Sequence, residues 1–177
     1  MPDPSSVNPP SSNAAPFKCI LFERRVRFRL PADWLEGEEG GIGIFHPPRP
    51  GGGTLRVTSE VLRHGGQQGD GDLAAATRVI LRQTAENFVR PDDPRGGDRI
   101  IEQLDDGSLI ASYSARTEID GDKLVIYLWM RGKAMGEAVT IAVFSFAMAI
   151  EDDGSETSAA TVGMLDSEIR TAGLGQG

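Results

Sequence analysis

The stretch from Ser108 to Ile150 constrains this chain more than any other. It holds three consecutive runs of β pattern, joined by an Asp120-Gly121 turn and a Gly132 to Gly136 loop, with a first turn, Asp105-Asp106-Gly107, leading in. Asp-Gly between alternating apolar runs selects a tight hairpin, because its central positions need positive φ. The runs Leu109 to Ile119, Lys123 to Arg131 and Ala138 to Ile150 therefore predict an antiparallel meander, preceded by a strand from Arg99 to Leu104. In the middle run Leu124, Ile126, Leu128 and Met130 read as the core face. The opposite face carries Val125, Tyr127 and Trp129, which is too apolar for open water. In the last run the apolar phase slips from Val139, Ile141 and Val143 to Phe144, Phe146 and Met148. Either a bulge lies near Val143 to Ser145, or both faces are buried.

Upstream, a run from Phe17 to Phe22 is followed by Val26, Phe28 and Leu30 alternating with Arg25, Arg27 and Arg29. This is the pattern of a half-buried strand with a basic outer face, stopped by Pro31. A Gly-rich turn, a short run from Ile42 to Phe45 and Pro47-Pro48 come next. From Thr54 to Leu62, Leu55, Val57, Ser59 and Val61 alternate with Arg56, Thr58 and Glu60. The period then changes. Leu73, Thr77, Ile80, Leu81, Thr84 and Phe88 form a helical stripe, with Asp70 or Asp72 as N-cap and Pro91 and Pro94 as its end. A second helix, starting near Ser155 or Ser158, would bury Val162, Leu165 and Ile169 and stop at Gly173 as its C′ residue.

These elements predict one α+β domain over residues 17–172. It is a mainly antiparallel, twisted sheet flanked by two amphipathic helices. Residues 1–16, rich in Pro, Ser, Asn and Ala, cannot bury enough apolar surface to offset chain entropy and predict a disordered tail. Residues 173–177 read as a flexible end.

Composition narrows the partners. The 177 residues are 39% hydrophobic and 25% charged, with a formal net charge of −8. The resulting pI of about 4.8 opposes attraction to nucleic acid or anionic lipid, both of which need Lys and Arg to neutralise phosphates. Neither is an expected partner. The longest apolar-rich run, Ala138 to Ile150, is too short for a membrane-spanning helix. Cys19 is the single cysteine, so no intramolecular disulfide can form, which fits a reducing compartment. The first sixteen residues have neither a positive n-region nor an apolar h-region. Together these features predict a cytoplasmic protein.

Phe28-Arg29-Leu30-Pro31-Ala32-Asp33-Trp34 resembles the F-x-L-P-x-x-W opening of Mog1/PsbP-like domains, a group that includes DcrB-like bacterial proteins. In those families a turn, a Gly/Pro-containing loop and a strand similar to Leu55-Arg56-Val57-Thr58 come next. A long helix, an antiparallel meander and a C-terminal helix complete the order, so the likeness covers roughly Phe17 to Ala172. It implies an α/β/α layered sheet acting through its surfaces, as a nuclear-transport cofactor, a photosystem subunit or chaperones of type VI secretion effectors do. Within the motif Pro31 ends the strand and Trp34 plugs the edge of the core. The group has no shared catalytic motif to carry over, and neither the transit peptide of its photosystem branch nor the lipoprotein leader of its envelope branch is present here.

The reactive residue types are sparse. His46 and His64 sit in loop-like contexts with no Cys, Asp or Glu at ligand spacing, and a metal site needs three or four converging ligands. No Gly-x-Ser-x-Gly is present, and Cys19 beside Ile20 reads as a small core residue. Gly40-Gly41-Ile42-Gly43 is followed by a β-like run rather than by a helix whose N-terminus could hold a phosphate. The pairs Glu38-Glu39, Asp105-Asp106 and Asp152-Asp153 fall at turns, where backbone needs select such residues. No catalytic, metal or cofactor-binding residue is assigned. Two binding candidates follow. Arg25, Arg27 and Arg29, extended by Arg56 from a neighbouring strand, form a row able to hold carboxylates, or else a solvated face paired with Glu60 or Glu118. Tyr127 and Trp129 form an aromatic surface if no helix covers them, and core if one does. The leading reading is a non-catalytic binding or adaptor protein, with a protein partner or a second copy of itself in a homodimer, and chaperoning of a secretion effector is its most concrete form. The alternatives are an enzyme or small-anion binder using the arginine face, and a structural subunit of a larger assembly.

Overall fold

A computed structural model of the chain describes residues 16–63, 73–89 and 97–175. In chain order the strands are β1 (Phe17–Phe22), β2 (Val26–Pro31), β3 (Leu35–Glu39), β4 (Ile42–His46) and β5 (Thr54–Arg63). Helix α1 (Leu73–Val89) leads to β6 (Ile100–Gln103), β7 (Leu109–Ile119), β8 (Asp122–Met135) and β9 (Ala138–Ala149), and α2 (Glu156–Arg170) leads to β10 (Gly173–Leu174). A seven-stranded sheet has the order β3-β4-β5-β9-β8-β7-β6, and a three-stranded sheet the order β1-β2-β10. Every strand pair among the described residues is antiparallel. Asp70, Asp72, Pro91, Pro94 and His64 lie outside the described residues, as does all of the tail before Pro16.

The meander closes as the turn chemistry requires. Asp120 and Gly121 both adopt positive φ, at 52° and 91°, and bring Ile119 opposite Asp122. The next connection is tighter than the glycines suggest. Strand β8 runs on through Gly132, and only Gly136-Glu137 separates Met135 from its partner Ala138. Gly132 is there for packing: a Cβ on it would lie 2.3 Å from Leu81 Cδ1 of α1.

Registers across β9 are continuous on both sides, so the phase slip marks burial of both faces and not a bulge. On one face Ala142, Phe144 and Phe146 join Leu55, Val57 and Phe28 in the larger core, closed by α2 and the small sheet. Phe28 meets Phe45 and Phe144 edge-on at 5.6 and 5.3 Å, and Trp34 closes the end of this core against Phe146 at 6.4 Å. On the other face Val139, Ile141 and Met130 pack under Leu81, Ala85 and Val89 of α1. The two layers of helix therefore enclose an antiparallel sheet.

Both faces of β8 carry buried residues, Met130 on the face read as core and Val125 and Trp129 on the other, but the balance differs from the sequence reading. Val125 and Trp129 are 2% and 3% exposed, while Leu124, Ile126 and Leu128 are only half-buried. Helix α1 packs over Met130, whereas α2 and the small sheet bury Val125 and Trp129 and leave Tyr127 half-buried. Ser155 caps α2 by accepting from the Ser158 N–H at 3.2 Å. Gly173 does not serve as a C′ stop. Thr171 caps the helix, and Gly173 and Leu174 pair with Arg27 and Val26. Gly175 N–H then donates to Arg25 C=O at 2.8 Å, so order continues beyond the boundary expected at Ala172.

Candidate functional site

The arginines of β2 alternate as the pattern demands. Val26, Phe28 and Leu30 point into the larger core, and Arg27 and Arg29 point out. Arg25 sits half-buried beside the β1–β2 turn, where Glu23 and Arg24 hold positive φ and Glu23 lies 3.4 Å from the Arg25 guanidinium. Arg29 is clamped. Its Nε and Nη2 donate to the two carboxylate oxygens of Glu168 on α2 at 2.9 and 2.8 Å. Glu168 is buried, and this bond and charge hold the guanidinium pKa above its ordinary value. The same guanidinium lies 5.5 Å above the ring of Phe17 on β1. Arg24 and Arg27 form no ion pair among the described residues.

Arg56 does not extend this row. It pairs across the large sheet with Ile44 and Ser145, and its neighbours Leu55 and Val57 face Phe28, so its side chain leaves from the opposite face. Glu60 and Glu118, the expected partners, are replaced by Glu168 and Glu23. Beside the arginines stand Phe17 and Leu21, 42% and 63% exposed, with Cys19 exposed between them. Cys19 is therefore not a core residue. The small sheet buries the Ile20–Phe22 phase of β1, and the odd-numbered phase takes the outside.

Tyr127 and Trp129 are brought together, with ring centroids 6.2 Å apart and planes inclined by 22°. Helix α2 covers them. Trp129 Nε1 donates to Asp166 at 2.9 Å, and the Tyr127 hydroxyl donates to Asp153 at 2.6 Å. Burial, followed by the Asp153 bond and charge, pushes the Tyr127 phenol up to about 12. A groove of about 340 Å³ remains between α2 and the β6–β7 side of the sheet, lined by Ile100, Ser112, Ser114, Val162 and Gly163 above the two rings. A second, of about 370 Å³, lies between Trp34, Pro47 and the outer face of α2. A third, of about 300 Å³, adjoins Arg49 and the first turn of α2. None of the three is lined by Arg25, Arg27, Arg29 or Arg56.

The sequence reading missed Arg131. It is 2% exposed and lies in the buried phase of β8 with Val125 and Trp129. Its Nη1 donates to Ser108 Oγ at 2.7 Å and its Nη2 to the Ala172 carbonyl at 2.8 Å, tying the β6–β7 turn to the segment after α2. Burial pushes its pKa down, opposed by Asp106 at 3.7 Å and reinforced by the charge of Arg170. Burial also opposes ionisation of Asp106. The Ser108 hydroxyl and N–H, Lys133 at 3.2 Å and Arg131 outweigh it and bring Asp106 down to about 2. The available signal was alternation itself, which puts position 131 on the Trp129 face. His46, exposed, has Nδ1 3.2 Å from Thr54 Oγ1.

No protein-family model and no curated protein matches the chain. Solved structures do. Cyanobacterial PsbP of Synechocystis aligns over 95% of this chain and 98% of its own, with a TM-score of 0.54 and 10% identity. LpqN of Mycobacterium tuberculosis, involved in cell envelope biogenesis, aligns over 93% and 88%, with a TM-score of 0.54 and 13% identity. A Bacteroides thetaiotaomicron protein aligns at a TM-score of 0.51 and 17% identity over 85% of this chain, which spans 45% of that longer one. The fold is the Mog1/PsbP-like fold.

Proposed function

We propose that the chain is a non-catalytic binding or adaptor protein whose working surface is the outward face of the β1–β2–β10 sheet. One observation carries this reading. On a single exposed face, Phe17 and Leu21 stand beside Arg27 and Arg29, in a chain whose net charge is −8. Paired apolar and cationic side chains left in water mark a surface that a partner covers. The groups with shifted pKa support a non-catalytic role. Asp106, Arg131, Tyr127, Arg29 and Arg170 each bond across two elements, and none of the three grooves described above gathers a pair of them as acid and base. The arginine-using enzyme would need those arginines in a concavity, and they stand on an outward face instead. The LpqN and PsbP likenesses, at the level of fold, are compatible with an accessory role. Chaperoning of a secretion effector is the concrete form we favour, in the cytoplasm, where an exposed unpaired Cys19 stays reduced.

The test is comparative capture from native lysate with wild type, Arg27→Glu and Arg56→Glu, each confirmed folded by circular dichroism. Arg27→Glu should release the partner, and Arg56→Glu, on the opposite face, should retain it. Equal retention by both variants would remove the small sheet as the working surface.

A further inference from the structure

The peptide groups of β1 have a defined phase. Ala32 N–H donates to Pro16 C=O at 2.7 Å, and Arg25 N–H to Phe22 C=O at 3.0 Å. In an antiparallel ladder, residues alternate between turning both peptide groups toward the neighbour and turning both away. With the register Lys18↔Leu30, Ile20↔Phe28 and Phe22↔Val26, the even-numbered residues of β1 bond β2. Phe17, Cys19 and Leu21 then direct their N–H and C=O groups outward. Among the described residues no strand pairs with that side of β1. The same three residues carry the exposed side chains, so main-chain donors, acceptors and an apolar-cationic face meet along one edge.

From this we infer that β1 receives an extended acidic segment of a partner protein as an added strand, antiparallel or parallel, with its carboxylates on the arginine face; this deepens the binding role proposed above and rests on it. Strand spacing of about 4.8 Å puts β2 about 10 Å from the added strand, a gap that a Glu and an Arg side chain span together. Cys19 stands opposite Arg29 in the register, and its side chain is smaller than those of Phe17 and Leu21 on either side, so it is the position of β1 across which a carboxylate of the added strand would reach the guanidinium. Arg29 already leans over Phe17, toward that edge. Arg27, opposite Leu21, has no ion pair among the described residues and supplies the next contact. Apolar residues at the alternate positions of the added strand would continue the Ile20–Phe22 face of the core. Charge selects this occupant over two others. A second copy docking through its own β1 would set arginine row against arginine row. An anionic membrane would meet the repulsion of the whole −8 chain, whereas a short peptide meets chiefly the local cationic face.

The test uses the full chain and a fluorescein-labelled peptide alternating Glu and Val over the length of β1, read by anisotropy. Wild type should bind it saturably, more weakly as salt rises, and should not bind the matching Lys–Val peptide. Arg27→Glu should weaken binding about tenfold or more. Leu21→Pro removes one outward donor at an edge position that tolerates proline, and should abolish binding, while Leu21→Ala retains it. A Glu–Val peptide N-methylated at its β1-facing amides should also fail against wild type, which tests the main-chain bonds even if Leu21→Pro does not fold. No binding of the Glu–Val peptide, or equal binding of the Lys–Val peptide, overturns the inference. Binding that survives N-methylation yet falls with Arg27→Glu overturns strand addition and leaves the face itself as the binding surface. If the lysate partner is lost on Arg27→Glu while the peptide never binds, the adaptor role stands and only its acidic strand is wrong.

Discussion

Arg131 is the side chain on which three separate segments depend. A guanidinium with 2% of its surface exposed is tolerable only if most of its donors are used. The two Nη groups of Arg131 go to Ser108, Ala172 and the Asp106 charge, while its buried Nε has no hydrogen-bond partner among the described residues. Truncating it leaves a fully buried Ser108 hydroxyl and a carbonyl without a donor, and opens a cavity beside Trp129. Arg131→Ala should therefore cost about 3–5 kcal/mol in urea unfolding. Arg131→Met keeps most of the volume while losing the bonds, and should cost less, about 1–3 kcal/mol. Equal costs would mean that bonding, not volume, is what Arg131 provides. Asp106 adds a pH dependence of definite sign. Its folded pKa, about 2, lies below the ordinary carboxylate value, so its stabilising effect is fully present above about pH 4 and fades as pH falls toward 2. Asp106→Asn should be less stable than wild type at neutral pH, and the two unfolding curves should converge near pH 2. A gap that persists unchanged at pH 2 would separate the effect from ionisation.

At the scale of elements, helix α1 meets the sheet where β8 has no side chain. Leu81, 2% exposed, occupies the space above Gly132, and a methyl group there would stand 2.3 Å from its Cδ1. Gly132→Ala should destabilise by about 1–3 kcal/mol through overpacking, and Leu81→Ala by about 2–5 kcal/mol through the cavity it leaves. Because the added methyl fills part of that cavity, the double variant should be more stable than the sum of the two costs by about 1 kcal/mol or more, measured as a double-mutant cycle. Strict additivity would show that α1 shifts instead of Leu81. Gly132 also shows where sequence reading stops. Composition marks it as a turn, and only the helix crossing above it reveals a contact. Local signals were sufficient for Asp120-Gly121 and for the alternation of β2, and they narrowed the cap of α2 to Ser155 or Ser158, of which Ser155 serves. Strand β3 was not legible: Leu35 to Glu39 is exposed throughout and carries three glutamates, so it has no apolar phase to read. The separation of Arg56 from Arg29 was equally hidden, because both sit in correct alternation and only the pairing of sheets decides which way each one faces.

For the molecule as a whole, stability is concentrated where the large sheet is covered on both sides. The centre of β9 lies between two cores: Thr140, Ile141 and Ala142 are each at most 1% exposed, with α1 on one face and the larger core on the other. Its neighbours β5 and β8 bond it along nearly its full length, so opening its amides requires disrupting both layers at once. Strand β3 is the contrast, an edge strand that among the described residues pairs only with β4, its Glu36, Glu38 and Glu39 guarding it against unwanted pairing. The small sheet stands between these limits, because one face of β1 and β2 is deep in the larger core and the other is open. Native-state hydrogen exchange should follow that order, with amides from Thr140 to Phe144 slowest and tracking global unfolding, even-numbered β1 amides intermediate, and β3 fastest. Within β1 the phase of the ladder makes a sharper demand. Ile20 and Phe22, bonded to β2, should exchange more slowly than Cys19 and Leu21, whose amides face outward. Uniform protection along β1 would mean that its outer edge is already occupied, and β3 as slow as β9 would mean that the sheet opens as one unit regardless of what covers it.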